Sequence, residues 1–129
     1  MNMKGTLRTI GFICFLVLPI GFMQSCKNKN PSVIKIFVRS ASNELVDGAK
    51  VVIIGDLSSN PPTLAYVDTL ITNSSGFATF DMSSYYEQAG EDNDVAYFDI
   101  VAKFGTKQIN GYIRSRVHTT AVETVFLPN

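Results

Sequence analysis

Few side chains in this sequence could do covalent or acid–base chemistry, and they are scattered. A serine or cysteine nucleophile needs a base beside it and an acid to orient that base. The chain has one histidine, His118. Ser115 precedes it by three residues, yet no Gly-x-Ser-x-Gly elbow presents any serine. His118 stands before Thr119-Thr120, at the expected turn between the last two strands, where a solvated side chain is the simplest reading. The acidic segment Glu91-Asp-Asn-Asp94, with Asp99 close behind, offers the oxygen ligands that Ca²⁺ takes. It lacks the spaced Asp-x-Asp-x-Asp-Gly and later Glu of an EF-hand loop. Glu91, Asp92 and Asp94 are therefore the Ca²⁺ candidates, with solvated loop charge as the expected state. Glycoside hydrolysis needs two carboxylates across a cleft, and none of the eleven acids has neighbours that would raise its pKa. Tyr85-Tyr86 suits either a contact patch or packing at the end of the fold, and packing is the expected role. No glycine-rich phosphate loop and no basic–aromatic run appears. The sequence assigns no catalytic residue, no cofactor and no metal, so no enzyme is expected.

What must position these residues is a single small body. The 129 residues carry eleven basic and eleven acidic side chains. That balance excludes a strongly basic nucleic-acid binder and an acidic solvating tail, and the absence of tryptophan argues against an aromatic sugar-stacking platform. The apolar residues are unevenly spread. Residues 1–25 hold 14 of them and only two charges, Lys4 and Arg8. The remaining 104 residues have an ordinary globular composition and a net charge of −2, enough for one core and too few for two.

The first 26 residues have the parts of an export signal. Lys4 and Arg8 form a basic start, and Ile10 to Met23 an apolar run of about 14 residues, short of the roughly 20 that a membrane span needs. Met23-Gln-Ser-Cys26 follows, and it resembles the lipobox of bacterial lipoproteins: an apolar residue at −3, a small one at −1 and the obligatory Cys at +1. Gln24 departs from the small residue preferred at −2. The resemblance implies cleavage after Ser25 and acylation of Cys26, hence a membrane partner through lipid. Cys14 is then discarded and Cys26 is a thioether, which leaves no thiol for a disulfide or an imidazole–thiolate metal site. Residues 26–31 are a lipidated Cys and a polar tether. Lys27 rather than Asp after the Cys implies, by the same resemblance, the outer membrane, and the basic tether favours a periplasm-facing orientation over the cell surface.

Residues 32–129 read as all-β. The dominant hydrophobic period is 2, with turn residues every ten or so positions. Strands are expected at 33–39 with Ile34, Ile36 and Val38 inward, and at 49–54 with Ala49, Val51 and Ile53 inward. Further strands are expected at 64–72, 77–81, 95–104, 108–117 and 121–127. Phe98, Ile100, Ala102 and Phe104 share a face of the longest. The prolines in Gly55 to Pro62 keep that stretch out of a ladder, residues 83–89 suit a turn of helix, and Gly105 to Lys107 a hairpin turn. Seven such strands predict an antiparallel β-sandwich. Arg114 and Arg116, alternating with apolar neighbours, mark a solvent face.

The motifs Leu45-Val-Asp-Gly-Ala-Lys-Val-Val-Ile and Thr72-Asn-Ser-Ser-Gly-Phe-Ala-Thr-Phe follow a first strand Val33-Ile-Lys-Ile-Phe-Val. Together they resemble transthyretin-like sandwiches, including carboxypeptidase regulatory-like domains, across residues 32–128. An immunoglobulin-like sandwich with the same punctuation is the alternative. The hydrolase of 5-hydroxyisourate in that group uses two histidines and a Tyr-Arg-Gly-Ser end; with His118 alone and Phe126-Leu-Pro-Asn129, the resemblance does not extend to it. The function expected is a non-enzymatic, lipid-anchored envelope module that binds a protein partner. The alternative is a binder of a small ligand, a glycan or Ca²⁺ through loops 55–63 and 83–94.

Overall fold

The computed structural model describes residues 30–129. The expected signal segment, Cys26 and the start of the tether lie outside the described residues. In chain order the elements are β1 (Val33–Arg39), β2 (Lys50–Gly55), β3 (Val67–Ile71), β4 (Phe77–Asp81), a seven-residue helix α1 (Ser83–Ala89), β5 (Val95–Phe104), β6 (Lys107–Arg116) and β7 (Thr120–Phe126). They form two sheets, one of order β4-β1-β7 and one of order β3-β2-β5-β6. The protein is an all-β sandwich.

Period-2 alternation builds the layers. Ile34, Ile36 and Val38 of β1 face Val51 and Ile53 of β2 and Phe98, Ile100 and Ala102 of β5 across one core, all fully buried. Phe80 of β4 fills the same space with no exposed surface. Phe104 continues the face of β5 but is 44% exposed, because the strand there outruns the opposing sheet on its way to Gly105. Gly111 of β6 lies under β7: a Cβ there would stand 2.9 Å from Val125 Cγ1. That close approach brings the corner of the sandwich together.

Two expectations need correction. The sandwich is not wholly antiparallel: β1 and β7 pair in parallel from Val33↔Thr120 to Arg39↔Phe126, while the other four pairings are antiparallel. The chain crosses between sheets before its last strand, so β7 arrives beside β1 running the same way. The third strand begins at Val67, not Leu64, because the Leu64 N–H donates to the Tyr85 hydroxyl (3.1 Å) instead of joining a ladder.

The motifs quoted above meet in space. Thr72 Oγ1 accepts the Ala49 N–H (2.8 Å) and donates to the Val46 carbonyl (2.7 Å), while the Thr72 N–H donates to the Ala49 carbonyl (2.8 Å). Gly48 and Gly76 take positive φ (81° and 76°) at the two turns beside this staple, a backbone region that glycine enters without Cβ strain.

Candidate binding surfaces

One end of the sandwich gathers most of the residues singled out from the sequence. The chain enters at Asn30 to Ser32. The Ser32 carbonyl accepts the Met82 N–H (2.8 Å) and Ser32 Oγ accepts the His118 N–H (2.7 Å). Asp81 Oδ1 takes both the N–H and the hydroxyl of Ser83 (2.9 and 2.6 Å), which fixes the start of α1 and holds the carboxyl below its ordinary pKa. The Val117 N–H donates to the Asp94 carbonyl (2.8 Å). Between these segments lies a cleft of about 650 Å³, whose lining includes Ser83, Tyr86, Glu87, Glu91, Asp94 and His118.

His118 has positive φ (59°), and its Nδ1 lies 2.7 Å from the Asn30 carbonyl. A carbonyl only accepts, so Nδ1 carries the proton there. Ser115 is fully buried and accepts the Tyr86 hydroxyl (3.0 Å). Each thus has a separate partner. Tyr85 and Tyr86 are buried and pack edge-on (centroids 5.1 Å apart), with Tyr85 also against Phe98. Packing, not surface contact, is their role, and burial pushes the Tyr86 phenol above its usual pKa. Glu91, Asp92 and Asp94 are exposed. Asp99 stands apart from them, opposite Tyr112 on the outer face of the four-stranded sheet. Among the described residues, no group of three or more His, Cys, Asp or Glu could hold a metal ion.

Loop 55–63 shares this end of the fold. The Asp56 N–H donates to the Tyr97 carbonyl (2.9 Å), and Thr63 Oγ1 accepts the Tyr97 N–H (2.8 Å). Tyr85, through its bond to Leu64, links α1 to the end of that loop. The two loops named as a ligand-binding pair are therefore neighbours.

A second surface was missed by the sequence reading. On the outer face of the four-stranded sheet, Val67 and Ile71 of β3 are 66% and 58% exposed, and Ile54 of β2 lies directly opposite Val67. Leu64, just before β3, is exposed as well, whereas Leu70 points to the opposite face, in register with the buried Val51. Val67 with Ile54, and Ile71 beyond Thr69, make an apolar run on this face that is bordered by the exposed Lys50 opposite Ile71, and an exposed apolar patch marks a candidate contact region. The signal was in Val67-Asp-Thr-Leu-Ile71, whose outward side carries no charge to guard a sheet edge. Further along, the Tyr97 and Tyr112 rings lie 6.1 Å apart and 22° from parallel, and the Tyr112 hydroxyl donates to Asp56 Oδ2 (2.7 Å). On the other sheet's outer face, Lys35 Nζ sits 3.9 Å from the centroid of Phe77, whose ring leans on Phe37.

No protein-family model matches the sequence, and no curated protein matches it. Among solved structures the chain is similar to the Bacillus anthracis TIE protein, at 13% identity and a TM-score of 0.51, over 78% of this chain and 17% of that one. At that identity the likeness is one of fold. It agrees with the class already defined by the two sheets: a β-sandwich domain.

Proposed function

We propose that this chain is a non-enzymatic envelope lipoprotein, anchored through Cys26 in the outer membrane and facing the periplasm, whose β-sandwich binds another protein. The observation that carries the binding role is the exposed aliphatic surface formed by Ile54, Val67 and Ile71. An edge strand with unguarded apolar side chains suits pairing with a protein partner. The anchor rests on Met23-Gln-Ser-Cys26, and two acyl chains hold a protein stably where one is marginal. The transthyretin-like reading of the sandwich is supported by Thr72, which ties its own motif to Ala49 and Val46.

Three measurements test this. Cys26→Ser should move the protein from the membrane to the soluble fraction, and the intact mass of the wild type should show a chain beginning at residue 26 with added lipid. A photo-activated cross-linker at Val67 should capture protein in intact cells, whereas the same probe at Thr79 on the other sheet should not. Equal capture at both positions would remove the binding surface from this reading. The second reading, a ligand-binding cleft, is favoured by the volume enclosed between α1 and His118. Calorimetry with Ca²⁺ and with envelope glycans decides it, and no heat from any of them ends it.

A further inference from the structure

We infer that the partner of β3 is β3 of a second copy of this chain, paired antiparallel about a two-fold axis at Thr69, so that two four-stranded sheets become one of eight strands. The inference rests on the four-stranded sheet being a protein-binding surface, and it names the partner.

The backbone supplies the first argument. The Gly55 N–H donates to the Tyr66 carbonyl (2.8 Å) and the Thr72 N–H to the Ala49 carbonyl (2.8 Å), while the Asp56 N–H donates to the Tyr97 carbonyl (2.9 Å). With the register Lys50↔Ile71 to Ile54↔Val67, the odd residues of β2 bond β3 and the even ones bond β5. Antiparallel pairs alternate between bonded and unbonded, so Val67, Thr69 and Ile71 aim their backbone groups away from β2. A two-fold axis at Thr69 sets Thr69 against Thr69, and Val67 against Ile71 on each side. These three pairs are two residues apart, which is the spacing of bonded pairs in an antiparallel ladder. Every outward group of one strand then meets an outward group of the other.

The side chains repeat that symmetry. The same three residues point to the sheet's outer face, and reversing the strand sets the exposed Val67 against the exposed Ile71. Across the join, Ile71 of one copy would neighbour Val67 and Ile54 of the other, and the Val101–Val52–Thr69 row would continue into its own mirror row. The alternative edges are less suited: β7 packs against β6 at Gly111, and β4 ends its outer row in Asp81. In the single chain, Asp68 Oδ1 holds the Thr69 N–H (2.8 Å), and pairing passes that N–H to the partner strand's carbonyl. An isologous contact uses up the β3 edge of both copies and closes the assembly at two.

The test uses the full chain in detergent-solubilised membranes, with copper–phenanthroline as oxidant. Thr69→Cys places two thiols opposite each other, within the Cα separation of about 4.4–6.8 Å that a disulfide spans. Val67→Cys separates them by four residues along the ladder, and Thr79→Cys is on the other sheet; all three sites are exposed. Disulfide-linked dimer should form from Thr69→Cys at least about tenfold more than from the other two. Equal yields, or no dimer from Thr69→Cys, overturn the inference. If the Val67 photo-cross-linker then captures a different protein, the binding surface stands and the second copy is ruled out; if it captures nothing, both readings fall.

Discussion

Two side chains set the residue scale. Tyr112 donates to Asp56, whose other carboxylate oxygen accepts the Ser58 N–H (2.9 Å). That hydrogen bond, more than desolvation or the nearby negative charges, pushes the phenol up to about 12. The unfolded phenol titrates near 10. The raised folded pKa therefore stabilises the fold fully below pH 10, and the contribution is lost as pH rises towards about 12. Absorbance titration at 295 nm should show late ionisation from Tyr112 that Asp56→Asn removes, returning it towards 10, while the phenols of Tyr66 and Tyr86, raised first by burial, stay late in that variant. Thr72 matters for packing. Thr72→Val leaves the Ala49 N–H and the Val46 carbonyl without their hydroxyl partner, a loss of about 1–3 kcal/mol in urea unfolding. Thr72→Ser keeps the hydroxyl and should lose less.

At the scale of elements, β5 is the sharpest test of register. Phe98 has no exposed surface, while Asp99 beside it faces solvent. Phe98→Ala should cost about 3–5 kcal/mol in a denaturant titration, and Asp99→Asn under about 0.5. The reverse order would mean a one-residue slip that turns every core side chain outward. The inward faces of β1, β2 and β5 were legible because alternation reports burial directly. The start of β3 was not, since Leu64 leaves the ladder for a hydroxyl on α1, 21 residues away in sequence. Nor was the cleft: Glu91, Asp94 and His118 become neighbours only once β5 and β6 have carried the chain out and back. The exposure of Val67 and Ile71 escaped notice for a related reason. Alternation tells one face of a strand from the other, but not whether a strand lies at an edge.

At the scale of the molecule, one core serves both sheets, so residues 27–129 produced by themselves should fold with a β-rich circular-dichroism spectrum. A flat, unstructured spectrum would refute the single-domain reading. The parallel pairing of β1 with β7 joins residues almost ninety positions apart, from Val33↔Thr120 onward. That fixes an order of events in time. The three-stranded sheet can form its β1–β4 half early, but β1 keeps an open side until the last ten or so residues have arrived. Contacts so distant in sequence make folding slow, and until they form, the Ile34-Lys-Ile-Phe-Val38 strand is open to pairing with other chains. A chain that emerges amino end first has to wait for its own last strand.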